Sequence, residues 1–313
     1  MSTNHRQILV TNGAQQAINL LAQLLVERGS CVVVENPTYV GALDAFAAVG
    51  ARLLGIPVEE QQGSPEPLRR LLRRERPRLL YLMPTFHNPT GAVSTLTRRE
   101  QLAALAAEQR TPLIEDDTLA APAIGQTPPP PIAAFDRDGH VITIGSLSKS
   151  AWAGLRVGWI RAPVPLIDRL VSLKTVADLG SSLPSQTLAR AVLEDFPRIS
   201  ALRASQLGQC LQVASRLLRE HLPEWRFRDP AGGQALWLRL PGGDGDSFAQ
   251  TALKHGVTVV PGSLLSPDRS FRDYIRLQFL QPPELIDDGV HRLARAWDDY
   301  AVAAGRRNLT IVV

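Results

Sequence analysis

Short apolar runs that alternate with amphipathic stretches are the feature that most constrains this fold. Runs of four or five residues predict strands at 7–11, 31–34, 52–56, 79–82, 112–115 and 141–144. Apolar residues at helical spacing predict helices between several of these strands, at 14–28, 39–49, 66–75 and 97–110. Strands that are joined through helices run parallel and are covered on both faces. The sequence therefore predicts an α/β fold with a mostly parallel sheet covered by helices.

The pattern changes in the C-terminal third of the chain. The elements predicted there are helices at 184–222, with a break near Pro197, near 244–256 and near 283–304, and strands at 234–240 and 274–279. We therefore predict a large domain over residues 1–197 and a smaller α+β domain over residues 198–313. The prolines at 128–131 are interpreted as a stiff loop inside the large domain, because strand patterns resume directly after them.

Composition narrows the function classes. The chain has 313 residues and is 44% hydrophobic, which is enough for a large core and excludes a disordered protein. Two cysteines are too few for a disulfide framework, so we expect a reducing, cytoplasmic compartment. No leader and no long apolar run is evident, so neither export nor a membrane is expected. The net charge is +4, but the arginines are scattered, so this chain alone is not expected to bind nucleic acid.

Lysine is rare in this sequence. Only three of the 34 basic residues are lysines, namely Lys149, Lys174 and Lys254. Arginine supplies positive charge but keeps its proton, whereas a buried lysine can act as an amine nucleophile. A lysine that lies in a candidate site is therefore a candidate catalytic residue.

Two polar segments directly follow predicted strands, where open sheets place their ligands. Residues 11–16 begin a predicted helix, whose free N–H groups favour an anion, and Gly13 allows a close approach. Residues 86–91 contain His87 and Asn88, and Asn88 can donate a hydrogen bond into a crevice. Each segment alone is equally compatible with an ordinary turn, and His87 is interpreted as structural.

Two further segments follow strands. Glu115, Asp116 and Asp117 could bind a metal, face a protonated heterocyclic nitrogen, or simply be solvated, and a metal is not favoured because no histidine cluster is near. Lys149 lies among hydroxyl groups, and Ser146, Ser148 and Arg156 together form a plausible phosphate cradle. The four segments together supply an amine, a phosphate cradle, a hydrogen-bond donor and a buried carboxylate. A Schiff-base site for pyridoxal phosphate requires this set.

The motifs TNGAQQA, NPTG, SLSK with GLRVGW, and IRLQF occur in this order. In these motifs, and over nearly its whole length, the chain resembles the fold-type I, class I/II pyridoxal phosphate-dependent aminotransferases. The segments VTNGAQQAINLL, ENPTY and IEDD are most similar to the aminotransferase-like domain of MocR-type regulators. The resemblance implies a large domain like that of aspartate aminotransferase, pyridoxal 5'-phosphate as cofactor, and a homodimer.

The resemblance also implies roles for individual residues. Lys149 would form the Schiff base and carry the proton, Asp116 would pair with the pyridine nitrogen, and Tyr39 would stack on the ring. Asn88 would bond the ring hydroxyl beside the substrate, and Arg276 would bind the substrate's α-carboxylate. The residues implied to hold the cofactor phosphate are Gly13, Ala14, Gln15, Ser146, Ser148 and Arg156.

The sequence departs from this family in two places. Thr118 and Leu119 occupy the positions where relatives have a tyrosine that bonds the ring hydroxyl. The first predicted strand begins close to Met1, so we expect the chain to be short of the N-terminal arm of its relatives and of the winged-helix head of the regulators.

Three functions stay open at this point. The first is an aminotransferase that acts on an amino acid and a 2-oxo acid. The second is an effector-binding domain of a MocR/GntR-type transcriptional regulator that lacks its DNA-binding head. The third is a degenerate fragment that binds no cofactor.

Overall fold

A seven-stranded sheet lies at the centre of the N-terminal two thirds of the chain. The structure is a computed structural model that describes residues 3–58, 65–121, 123–125 and 127–303. The strands of this sheet are β1 (Ile8–Thr11), β2 (Cys31–Asn36), β3 (Arg52–Pro57), β4 (Leu79–Leu82), β5 (Leu113–Asp116), β6 (Val141–Ser146) and β7 (Gly158–Arg161). Their order is β1-β7-β6-β5-β4-β2-β3. Only β7 runs antiparallel to its neighbours β1 and β6, which confirms the prediction of a mostly parallel sheet.

Helices cover both faces of this sheet, as predicted for an α/β fold. They are α1 (Ala14–Leu25), α2 (Val40–Ala48), α3 (Glu66–Glu75), α4 (Leu96–Gln109), the short α5 (Leu147–Ser150), α6 (Val164–Asp178) and α7 (Leu183–Glu194). Helix α1 ends three residues earlier than the predicted 28, because Val26 already adopts an extended backbone with φ −112°. The sequence did not predict β7 or α6.

The C-terminal third contains a second, three-stranded antiparallel sheet. Its elements are α8 (Phe196–His221), β8 (Ala235–Arg239), α9 (Gly245–Lys254), β9 (Val260–Pro261), β10 (Tyr274–Gln278) and α10 (Pro283–Ala303). The predicted helix break near Pro197 occurs at Asp195, between α7 and α8, and Pro197 lies in the first turn of α8. Proline is tolerated there because the first helical N–H groups have no partner within the helix.

Separate hydrophobic clusters stabilise these two parts. The main clusters of the first part lie on the two faces of the large sheet, around residues such as Phe46 and Leu80. The cluster of the second part joins α8, α9 and α10 to the small sheet and contains Trp225, Phe248 and Leu293. The domain boundary at 197/198 falls within α8 and stays a prediction. Residues 304–313 lie outside the described residues. They include the end of the predicted smaller domain and residue 304, the last residue of the predicted C-terminal helix.

No helix within the described ranges is long and apolar enough to cross a membrane.

Candidate active site

A cavity of about 360 Å³ lies where β4, β5 and β6 end. Because these strands are parallel, their carboxyl ends and the loops that follow meet at one edge of the sheet. Residues of the small sheet, including Gln234 and Arg276, close the opposite wall. The predicted site residues that line this cavity are Ala14, Gln15, Tyr39, Asn88, Asp116, Ser146, Ser148, Lys149, Arg156 and Arg276. Segments as far apart as residues 14 and 276 therefore converge on one pocket.

Lys149 enters the cavity from the short helix α5. The side chain of Ser146 begins this helix by accepting a hydrogen bond from the N–H of Ser148 at 3.1 Å. Gln234 donates to the main-chain oxygen of Lys149 at 3.1 Å and so ties this turn to the small sheet. Burial lowers the pKa of the Lys149 amine, and the positive charges of Arg276 and Arg156 lower it further. The site thus favours a neutral amine, which is the nucleophilic form.

The loop between β1 and α1 is the segment that the sequence predicts to bind an anion. Gly13 has φ +81°, and a Cβ atom at this position would lie 2.7 Å from Nη2 of Arg156. Only glycine therefore allows the arginine to approach the backbone this closely. Within the described structure, Oγ of Ser148 is buried and has no hydrogen-bond partner. A buried hydroxyl of this kind is stabilised by an acceptor such as a phosphate oxygen.

The three consecutive carboxylates have different surroundings. Asp116 lines the cavity, where it accepts a hydrogen bond from the Tyr81 hydroxyl at 2.6 Å and one from the N–H of Thr118 at 3.0 Å. Glu115 instead accepts from the N–H groups of Ile132 and Ala133. Burial raises the pKa of Glu115 to about 7, and the charge of Asp117 adds to this. Of these three described residues, only Asp116 is among those that line the cavity, so it is the carboxylate that a ligand in this cavity can reach.

Burial also raises the pKa of Asp116, although the hydrogen bonds from Thr118 and Tyr81 oppose this effect. A cationic partner in the cavity would favour its ionised form. Within the described ranges, no three potential metal ligands cluster together. Of the interpretations left open by the sequence, the surroundings of Asp116 fit a protonated ring nitrogen best.

Tyr39, Asn88 and Arg276 are held by polar contacts around the rim. The Tyr39 hydroxyl donates to Oε1 of Gln15 at 3.0 Å, and Gln15 in turn donates to the oxygen of Gly41 at 2.8 Å. Arg276 on β10 donates from Nη1 to Oδ1 of Asn88 at 3.2 Å. This contact engages the oxygen of the Asn88 amide, and no hydrogen bond within the described part of the chain uses its N–H groups, which can donate to a ligand.

Sequence reasoning missed two polar residues of this site. Tyr81 lies inside the apolar strand β4, and only the rule that a buried hydroxyl needs a partner could have indicated it. Gln234 sits at the edge of a predicted strand and shows no motif of its own. At the two positions where relatives have a tyrosine, the N–H of Thr118 donates to Asp116 and Leu119 is buried against the core.

The sequence model of aminotransferase class I and II matches residues 1–293. The chain belongs to this family. It is 33% identical to the 2-aminoadipate transaminase of Thermus thermophilus over 297 residues, which cover 93% of this chain and 75% of that protein. It is also 35% identical to the HTH-type transcriptional regulator YdfD of Bacillus subtilis, over 94% of this chain. The chain spans 61% of that regulator's length.

Among solved structures, this family member resembles LysN, the α-aminoadipate aminotransferase of Thermus thermophilus, in complex with N-(5'-phosphopyridoxyl)-L-leucine. The TM-score is 0.90 at 31% identity, and the match covers 95% of this chain and 78% of LysN. The Pyrococcus horikoshii kynurenine aminotransferase gives a TM-score of 0.86 at 29% identity, over 94% of this chain and 75% of that one. These matches confirm the predicted fold.

Members of the class I and II family use pyridoxal phosphate. The polar groups of the cavity fit this cofactor on structural grounds. Gly13 leaves space beside the guanidinium of Arg156, Ser148 holds the buried hydroxyl described above, and Asp116 presents a buried carboxylate. An anionic phosphate would accept from Arg156 and Ser148, and a protonated ring nitrogen would pair with the Asp116 carboxylate.

Proposed function

We propose that this chain is a pyridoxal phosphate-dependent aminotransferase that moves an amino group between an amino acid and a 2-oxo acid. The observation that carries this proposal is the cavity in which Lys149, whose pKa is lowered, shares one space with Asp116 and Arg276. The bound cofactor supplies an electron-accepting ring that makes the substrate's α-hydrogen acidic. The protein must therefore hold that ring and move one proton.

The phosphate-binding role is assigned to the loop after β1 and to the residues around α5. The N–H groups at the start of α1 would bind an anion, as helix N-termini do in other proteins. Arg156 adds a positive charge from the same side, because its guanidinium lies beside Gly13. The residues proposed to bind the phosphate are Gly13, Ala14, Gln15, Ser146, Ser148 and Arg156.

The ring-binding role is assigned to Asp116, Asn88 and Tyr39. The Asp116 carboxylate would hold the proton on the ring nitrogen, and the hydrogen bond from Tyr81 keeps this carboxylate oriented. The free N–H groups of Asn88 would donate to the ring hydroxyl. Tyr39 would pack against the ring, since its hydroxyl is anchored on Gln15 at the edge of the cavity.

Proton transfer is assigned to Lys149. Its Nζ atom would accept the proton from the substrate's α-carbon. The same atom would then deliver a proton to the cofactor carbon that is joined to the amino nitrogen. The lowered pKa supports this role, because only the neutral amine can accept a proton. Arg276 would bind the substrate's α-carboxylate, because the planar guanidinium fork matches a carboxylate.

The visible absorption spectrum of the purified chain with added pyridoxal phosphate tests this proposal. We expect a lysine-bound cofactor band in the wild type and in the control Lys254→Ala, whose lysine is exposed on α9. Lys149→Ala should lack the band and should retain no cofactor after borohydride reduction. A folded wild type without the band would overturn the assignment and favour a degenerate fragment.

A second candidate function is effector binding in a MocR/GntR-type regulator. It is favoured by the 35% identity to YdfD, of which this chain spans 61%. Leu119 supports it too, since a site that lacks the expected tyrosine has one donor fewer to the cofactor ring. Sustained turnover of an amino acid with a 2-oxo acid would favour the enzyme, whereas binding of the amino acid without turnover would favour the sensor.

A homodimer is proposed as the assembled form. Val176, Leu179 and Leu183 are 88%, 87% and 74% exposed, and they lie where α6 ends and α7 begins. Exposed apolar side chains grouped in one region are typical of an interface. A second copy is the proposed partner, and Leu183→Asp should convert a dimer to a monomer in analytical ultracentrifugation.

Both cysteines are free, which fits the expected cytoplasmic location.

A further inference from the structure

Lys174 is the buried lysine that the proposed chemistry does not use. It lies on α6, and its side chain is only 6% exposed. Its Nζ atom is 2.6 Å from both carboxylate oxygens of Asp178, one helical turn further along. A buried ammonium group requires such a partner, because an isolated buried charge is costly. The pair therefore fixes the Asp178 carboxylate firmly at the C-terminal end of α6.

Asp178 accepts one hydrogen bond from the N–H of Gly180 at 3.1 Å and also binds the loop that starts α1. Its Oδ2 atom accepts from Nδ2 of Asn12 and from Nε2 of Gln16, both at 2.7 Å. Gln16 in turn accepts from the N–H of Asn12 at 2.8 Å. Asn12 and Gln16 immediately flank residues 13–15, which are the backbone part of the proposed phosphate cradle. One carboxylate thus holds both ends of the cradle.

Besides the link to Asp178, two local hydrogen bonds between Thr11 and Gly13, each 2.9 Å long, hold the loop. Gly13 is the N-cap of α1, and it provides no side-chain cap to the helix. In many helices a Ser, Thr, Asp or Asn side chain at this position satisfies the first N–H groups and fixes the turn. The oxygen of Asn12 also accepts from Nη2 of Arg156 at 3.0 Å, so Asn12 connects Asp178 to the arginine of the cradle.

We propose that Asp178, held by Lys174, is a positioning residue that fixes the phosphate cradle through Asn12 and Gln16. It touches no ligand itself. This inference rests on the proposed function, because it assumes that the cradle binds the cofactor's phosphate. It predicts that loss of Asp178 weakens recognition of the phosphate and leaves recognition of the ring unchanged.

The test compares two probes on the full-length apoprotein, pyridoxal phosphate and pyridoxal, which lacks the phosphate. Apparent dissociation constants are measured by spectral titration for the wild type, Asp178→Asn and Asn12→Ala. Asp168→Asn, on the exposed face of α6, removes the same charge away from the cradle and serves as the matched control. Asn12→Ala keeps the Lys174–Asp178 pair and so tests the link without leaving a buried charge unpaired.

We expect Asp178→Asn and Asn12→Ala each to weaken pyridoxal phosphate about tenfold, the effect of losing one charge-assisted hydrogen bond. Pyridoxal affinity should change less than about twofold, and the double variant should be less than additive because both changes break one link. Asp168→Asn should match the wild type for both probes.

Two results would overturn the inference while the proposed function stands. In the first, both probes weaken equally, which indicates a general loss of structure. In the second, the variants bind pyridoxal phosphate as tightly as the wild type does, which indicates that Asp178 does not support the cradle. Failure of the wild type to bind pyridoxal phosphate would instead overturn the proposed function, and the inference with it.

Discussion

The two walls of the cavity differ in how far their polar groups are already satisfied. On the wall formed by the large sheet, both oxygens of Asp116 accept hydrogen bonds, from Tyr81 and Thr118. On the wall formed by the small sheet, Arg276 makes one hydrogen bond, to Asn88, and its buried Nε has no partner within the described structure. The Asp116 carboxylate is therefore held in place before any ligand binds, whereas Arg276 keeps a buried donor in reserve.

This difference matches the two kinds of ligand that an aminotransferase handles. A resident cofactor benefits from groups that are oriented in advance, because no reorganisation is then needed when it binds. A substrate that enters and leaves is better recognised by donors that it alone satisfies, since an unpaired buried donor costs about 1–3 kcal/mol. We call the wall formed by the large sheet the cofactor wall and the wall formed by the small sheet the substrate wall. Changes to the cofactor wall should mainly affect the cofactor and its chemistry, and changes to the substrate wall should mainly affect substrate binding.

The largest effect is expected from Asp116→Asn on the cofactor wall. A neutral amide cannot favour the protonated ring nitrogen, so kcat/KM should fall about 10³-fold, within the range of general acid–base effects. The measurement is steady-state transamination with an amino acid panel. Asp138→Asn, at an exposed loop position, is the control. Wild-type kinetics in Asp116→Asn would show that this carboxylate does not serve the ring.

A smaller effect is expected from Arg276→Gln on the substrate wall. Loss of the guanidinium should lower kcat/KM about 10²-fold, mainly through a higher KM, because the bond to a carboxylate is charge-assisted. The dissociation constant for pyridoxal phosphate should rise no more than about twofold, because among the proposed cofactor-binding groups only Asn88 loses a hydrogen bond. The comparison breaks down if cofactor affinity falls as far as substrate affinity. Arg226→Gln, exposed on the same part of the chain, is the control.

The sequence predicted one wall far better than the other. Short apolar runs identified six strands of the large sheet, and their carboxyl ends located Asp116, Asn88 and Lys149 in one region. Pattern alone could not place Arg276 beside Asn88, because 188 positions separate them in the chain. That position came from the resemblance, and the assigned roles of all these residues stay predictions.

Two missed elements have physical reasons. Strand β7 (Gly158–Arg161) begins in the last two residues of the motif GLRVGW, which was interpreted as a ligand-binding segment because of Arg156. Helix α6 (Val164–Asp178) buries Ile167, Leu170 and Lys174, and a buried lysine interrupts the apolar pattern that predicts a helix. The ion pair with Asp178 that makes this burial possible cannot be recognised before the helix itself is known.

Tyr81→Phe tests the cofactor wall through a smaller change in kcat, of about tenfold. Removal of the hydroxyl takes one hydrogen bond from the Asp116 carboxylate, so kcat should fall about tenfold while KM for the amino acid stays near the wild-type value. Tyr274→Phe removes a hydroxyl on β10 outside the cavity and is the matched control. An effect on KM alone would place Tyr81 with the substrate wall instead.

The smallest effect concerns the protonation of Lys149. The nearby charge of Arg276 helps to lower its pKa, so Arg276→Gln should raise that pKa towards the usual value for lysine. Competitive acetylation of the apoprotein across a pH series, read by mass spectrometry, reports this shift. The reactivity of Lys149 should rise at higher pH in the variant than in the wild type, while exposed Lys254 gives the same curve in both. Coincident Lys149 curves in the variant and the wild type would show that the charge of Arg276 does not affect the pKa of Lys149.

The position of β1 beside β7 also bears on how the chain assembles. Ile8 pairs with Arg161, so the first strand joins the sheet only when a segment of about half the chain closes back on itself. Contacts between such distant segments form late and slow the folding of a domain, because a long loop must close first. We therefore expect the loop after β1 and the lysine after β6 to come together late in folding. A ligand that bridges them would bind only a nearly complete fold, and would protect the whole chain against unfolding and proteolysis.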